Sequence, residues 1–181
     1  VAVGGAAAAS GGQSVAVGLL SKASALRAVA VGNGAQASNI DAVAIGRDSE
    51  ADALSATALG DRAKARGTQS LALASAAEAE GYQAVAVGTR AVSNAVNSVA
   101  LGVESSATAL NGLAVGTSSS VRKEGGTAVG GGASALEEKS LALGFQAKGK
   151  AEKAVALGAQ SIADSAAGQA GYDLSLIHIS E

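Results

Sequence analysis

A four-residue block of apolar, Ala, apolar and Gly returns along this chain every fourteen positions. It begins at Val1, Val15, Val29, Val43, Thr57, Leu71, Val85, Val99, Leu113, Thr127, Leu141 and Val155, twelve copies without insertion or deletion. Self-similarity at a fixed period is the mark of a stacked-coil architecture and takes precedence over local propensity. Counting from the first residue of the block, positions 1 and 3 are Val, Leu, Ile or Thr and position 2 is Ala in every copy. That period-two alternation predicts a short strand with large and small residues on opposite faces. Position 4 is Gly except at Ala74. It predicts a corner at positive φ, where a Cβ would cost on the order of 1 kcal/mol.

A second segment follows in each copy. Position 7 is Ala or Ser, and position 9 is Ala apart from Ser93, Val121 and Gly149. Between them position 8 varies freely, as in Lys22, Gln36, Glu50 and Lys64, and position 14 is again Ser, Ala or Gly. Strand, turn, strand, turn is the predicted order within each coil. A helical reading fails on placement: the apolar residues lie two apart rather than three and four, and a recurring helical Gly would cost roughly 1 kcal/mol per copy. The expected fold is therefore all-β, a flat two-sheet solenoid of fourteen-residue coils over residues 1–168. At a coil spacing of ~4.8 Å it would be a rod of about 58 Å.

The first assignment of faces places positions 1, 3, 7 and 9 in the thin interior, large against small, with position 8 in solvent. Position 2 then faces outward. A bare Ala column beside apolar residues at position 12 (Leu26, Ile40, Leu54, Tyr82, Val96, Leu110) suits close approach of a neighbouring chain better than water. On this reading Ala2, Ala16, Ala30, Ala44, Ala58, Ala72, Ala86, Ala100, Ala114, Ala128, Ala142 and Ala156 form the subunit interface. The opposite assignment, with position 2 inside and positions 1 and 3 at the interface, stays open.

Composition narrows the function more than the fold. Of 181 residues, 48% are apolar but only 2% aromatic, and Pro, Cys, Met and Trp are absent. The core must therefore be built of small side chains. A net charge of −2 with mixed signs leaves no basic footprint for nucleic acid and no polybasic membrane patch. Without Cys there is no disulfide framework, and no stretch has the length of an apolar membrane span. The block expected at Gln169 keeps only Ala170, and Leu174 to Glu181 fits no column. Residues 169–181 read as a non-repeat tail, either a vector-derived extension or the start of a different segment.

Catalytic parts are missing. The one His, His178, lies in that tail, and carboxylates such as Asp48, Glu50, Asp52, Glu137 and Glu138 occupy variable surface columns. Gly130-Gly131-Gly132 and Gly32-Asn33-Gly34 lack the Lys-Ser/Thr and the following helix of a phosphate loop. No catalytic residue, metal site or cofactor is expected. What remains is binding through a repetitive surface, with Phe145, Leu19 and Leu20 as candidate ligand contacts because they are exposed apolar residues outside the regular columns.

The copies Asn97-Ser98-Val99-Ala100-Leu101-Gly102 and Gln13-Ser14-Val15-Ala16-Val17-Gly18 resemble the NSVAIG-type motif of YadA-like heads of trimeric autotransporter adhesins. The resemblance covers residues 1 to about 168 and rests on the spacing, the Ala, the Gly and the small residues at 7 and 9 recurring together. It implies a left-handed parallel β-roll and a homotrimer on the surface of a Gram-negative bacterium. Attachment to the outer membrane would run through regions absent from this chain, with no membrane insertion by the head itself. The implied partners are host extracellular matrix proteins or cell-surface receptors, and the implied role is multivalent adhesion. The alternative role is a passive spacer or shield presenting another binding domain.

Overall fold

Every coil of this chain contributes one strand to each of two parallel sheets. The computed structural model describes residues 1–165. Twenty-four strands, numbered in chain order from β1 (Ala2–Val3) and β2 (Ala8–Ala9) to β23 (Val155–Leu157) and β24 (Ile162–Ala163), alternate between the sheets. The odd-numbered strands form one twelve-stranded sheet from positions 1 to 3, and the even-numbered strands form the other from positions 8 and 9. Pairing is parallel and in register, residue n with residue n+14, as in Val15 with Val29 and Lys64 with Glu78. The expected all-β solenoid of fourteen-residue coils is present across the described residues. The boundary at residue 168, the tail and His178 lie outside them.

Two tight turns close each of the first eleven coils, and both are hydrogen-bonded. The position-7 amide donates to the position-4 carbonyl (Ser21 to Gly18, 3.3 Å) and the position-14 amide to position 11 (Ala28 to Ala25, 3.1 Å). The third residue of each turn has positive φ, at Leu20 (58°) and Arg27 (57°) for instance. Few of these residues are Gly, so most coils carry two strained, left-handed residues. Coil stacking holds them there. The amide of Leu20 donates to the Gly5 carbonyl at 2.9 Å and that of Arg27 to the Gly12 carbonyl at 2.8 Å, continuing the ladder around the corners.

The turns make the coil a pseudo-repeat of seven residues, in which positions 7 and 9 correspond to 14 and 2. This overturns the first assignment of faces. Ala16, Ala30, Ala44, Ala58, Ala72, Ala86, Ala100, Ala114, Ala128 and Ala142 are all at 0% exposure and Ala156 is at 2%, inside their own chain. Only Ala2, in the first coil, stays exposed. Positions 1 and 3 point outward instead. The physical reason is parity: positions 14 and 2 are two residues apart in one extended strand, so the small residue at 14 and the Ala at 2 must share a face. Once both sheets turn their small residues inward, the sheets approach too closely for a column of Val or Leu to fit between them.

The interior columns compensate one another. Val121 is the largest fully buried side chain. It stands where a Cβ on Gly112 or Gly126 would come within 3.0 and 2.9 Å of its Cγ1. Gly149 is the reciprocal case, with the larger residue at position 14: a Cβ there would meet the Ser140 Cβ at 2.9 Å. Buried hydroxyls are mostly satisfied locally: Ser21, Ser49, Ser105 and Ser119 each donate to the carbonyl three residues back at 2.8–2.9 Å. Ser93 Oγ donates to the Ser98 carbonyl at 2.8 Å and lies 2.6 Å from Ser98 Oγ. Ser70 Oγ is the buried side-chain polar atom without a partner among the described residues.

Position 4 behaves as the sequence predicts. Its glycines have φ between 113° and 140°, and Ala74 is forced to 107°. Ala74→Gly should therefore stabilise the rod by about 1 kcal/mol, the strain of an L-residue at positive φ less the entropy of the added glycine. A higher urea midpoint with an unchanged m-value would confirm it.

Candidate functional site

With small side chains inside, every charged and, Val121 apart, every large side chain of the described residues is displayed outside, and the two outer faces differ in kind. On the odd-strand sheet, positions 1 and 3 present Val, Leu, Ile and two Thr, with Ile45, Leu73 and Leu143 each 38% exposed. This apolar strip runs the length of the described rod without a charged residue. The even-strand sheet presents positions 8 and 10, which are largely polar and carry charges in the middle of the rod. Arg66 lies 2.6 Å from a Glu50 oxygen and 3.3 Å from Glu80, one coil to either side, and Lys64 lies 3.3 Å from Glu78.

In-register stacking explains these pairs. Residues fourteen apart lie one coil apart, so charge along a column is satisfied when its sign alternates. On the corners Arg27 pairs with Asp41, Arg47 with Asp61 at 2.7 Å, and Arg90 with Glu104. Gln83 donates to Gln69 at 3.0 Å and Asn97 to Asn111 at 3.2 Å in the same way. The hydrogen bond from Arg27 holds the Asp41 carboxyl below the usual carboxylate range, and that from Arg47 does the same for Asp61. Their contribution is present above the ordinary carboxylate pKa and is lost as pH falls through the lowered one. These groups are open to water, so the pairs set register more than stability.

The candidate ligand contacts are not brought together. Leu19 and Leu20 are 52% and 51% exposed on the position 4–7 corner of the second coil, and Phe145 is 57% exposed on the same corner of the eleventh. Nine coils separate them, about 43 Å. A Cβ on Gly131, one coil before Phe145, would lie 3.5 Å from the Phe145 ring, so the aromatic rests on a glycine corner. Among the described residues there is no pocket and no cluster of His, Cys, Asp or Glu able to hold a metal ion. No helix is long and apolar enough to cross a membrane. What the rod offers is an extended surface, the strip at positions 1 and 3. The sequence reading held its outward direction only as the second assignment, although the small residues at 14 and 2 carried the signal.

No curated protein matches the chain. The YadA head domain repeat matches it at residues 1–21, 23–49, 51–73, 75–91, 79–105, 93–119 and 122–147, which is most of its length and nearly every coil described above. The matched segments contain the position 1–4 block, the glycine corner and the small interior columns that build the solenoid. The chain thus belongs to the YadA head repeat family, as a YadA-like head domain of a trimeric autotransporter adhesin.

Proposed function

We propose that this rod is the adhesive head of a bacterial surface protein, that three copies associate through the strip at positions 1 and 3, and that the assembly attaches multivalently to host cells or extracellular matrix. The observation that carries the assembly is the contrast between the two sheets. One outer face is largely polar, with ion pairs across its middle coils, while the other is apolar over twelve coils. A contiguous apolar face of that length is unusual on a chain that remains single. The interface role first given to the Ala column passes to positions 1 and 3, because a column buried in its own chain has no surface to offer a neighbour.

Family membership supports the adhesive role, the left-handed winding and display at a Gram-negative cell surface through regions outside this chain. Three linked copies would raise avidity through effective concentration, so weak individual contacts suffice. Light scattering on the purified chain should give three times the chain mass. Coated on beads, the same protein should bind some members of a panel of matrix proteins and cultured host cells. A monomeric mass would overturn the assembly. A trimer that binds nothing on the panel would favour a spacer that presents another domain.

A further inference from the structure

The strip at positions 1 and 3 is narrow. Three-residue strands of ~10 Å stacked over ~58 Å present about 600 Å² per chain. In a three-fold ring each chain divides that face between two neighbours, so each contact would bury roughly 600 Å² in total. Stable interfaces bury about 1,200–2,000 Å². Further apolar surface is needed, and one corner of the rod supplies it.

At position 12, on the turn leading into the odd-strand sheet, Leu26, Ile40, Leu54, Tyr82, Val96 and Leu110 form a row of side chains, each 39–47% exposed. Only Thr68 interrupts it. On the opposite corner, at position 5, the same coils carry Asn33, Arg47, Asp61, Ser75 and Thr89 between Leu19 and Val103. One edge is therefore mostly apolar and the other mostly polar. A two-fold contact would set the row against itself, whereas a closed ring sets an edge of one chain against a different surface of the next. The different apolar surface available is the strip beside position 3.

Resting on the trimeric reading above, we infer that the position-12 row from Leu26 to Leu110 docks on the position 1 and 3 strip of the adjacent copy, making a heterologous edge-to-face contact along coils 2–8. The row ends where the chemistry changes. In the next three coils position 12 is Glu124, Glu138 and Glu152. Glu152 is already paired with Lys153 of its own turn at 2.9 Å. The rod is thus divided into a segment sealed laterally by apolar side chains and a segment whose corner stays hydrated.

The chain contains no Cys, so single-cysteine variants report cleanly. Val96→Cys on the row and Asn94→Cys on the polar face belong to the same coil and are both exposed in one chain. In the assembled protein a maleimide reagent should modify Val96→Cys at least tenfold more slowly than Asn94→Cys, and the two rates should converge in guanidinium. A second variant, Leu54→Ser/Tyr82→Ser/Leu110→Ser, should dissociate at a tenfold or more higher protein concentration than the parent. Equal labelling rates in a protein whose scattering mass is trimeric would overturn the docking and leave the trimer standing. A monomeric parent would overturn both.

Discussion

Leucine in place of Ala100 is expected to destabilise the rod by about 3 kcal/mol or more, the upper end of what overpacking costs in ordinary cores. Ala100 sits in β15 (Val99–Leu101), at 0% exposure, stacked between Ala86 and Ala114, which are equally buried. An ordinary core absorbs an added side chain by shifting its neighbours. Here the neighbours are backbones, because the facing column is itself Ala or Ser and each sheet is held by in-register ladders above and below. The three extra carbons can be accommodated only by spreading the two sheets, which would break the turns on either side. Thermal and urea melts followed by circular dichroism measure the loss. A midpoint equal to the parent's would mean that column 2 does not line the interior. A disrupted trimer with fully folded chains would return the column to the subunit interface.

Valine at Gly102 should be nearly as damaging, for a different reason. Gly102 has φ 135°, and a Cβ there would lie 2.6 Å from both the carbonyl carbon and the oxygen of Gly116 in the next coil. The backbone strain costs roughly 1–2 kcal/mol. The clash adds to it and cannot be relieved by a rotamer, since backbone meets backbone. The ladder bonds from Gly102 to Val87 at 2.8 Å and from Gly116 to Leu101 at 2.7 Å are the ones that must give way. In a solenoid each coil contacts only its neighbours, so the damage should remain local. Hydrogen exchange should show lost protection in the coils around residue 102 with protection kept near residues 30 and 150. Uniform protection throughout would show that the corner tolerates a side chain.

These two substitutions probe features that differed in how legible they were. The Gly102 corner could be read from sequence because a single residue type was demanded at a single place, and no partner had to be known. The interior could be read only in part. Columns 7 and 9 were correctly placed inside from their small size and the free variation of position 8 between them. Column 2 was placed on the wrong face because large residues at 1 and 3 look like core in an ordinary protein, where apolar bulk is the usual sign of burial. In a sheet pair this close, bulk is the sign of the outside.

The exceptions within columns could have corrected this. Val121 at position 9 coincides with Gly112 and Gly126 at position 14, and Ser93 at position 9 with Ser98 at position 14. Such pairing shows that columns 9 and 14 face each other. Position 2 must then join them, being two residues from 14. The ligand candidates Leu19, Leu20 and Phe145 illustrate a different limit. Each is exposed as expected, but exposure at sites nine coils apart does not make a site.

By itself the sequence determined the fourteen-residue coil, the count of twelve, the glycine corner, the absence of large core side chains and the family, because each is a matter of spacing and residue size along one strand of text. Which side of the odd strands faces in was left to the tertiary structure. A period of two specifies that faces alternate but not which is which, and that choice is made by the turns, whose left-handed third residues carry both strands' small columns toward each other. The apolar strip at positions 1 and 3 and the row at position 12 become surfaces for other copies because closing the coil left them no place inside.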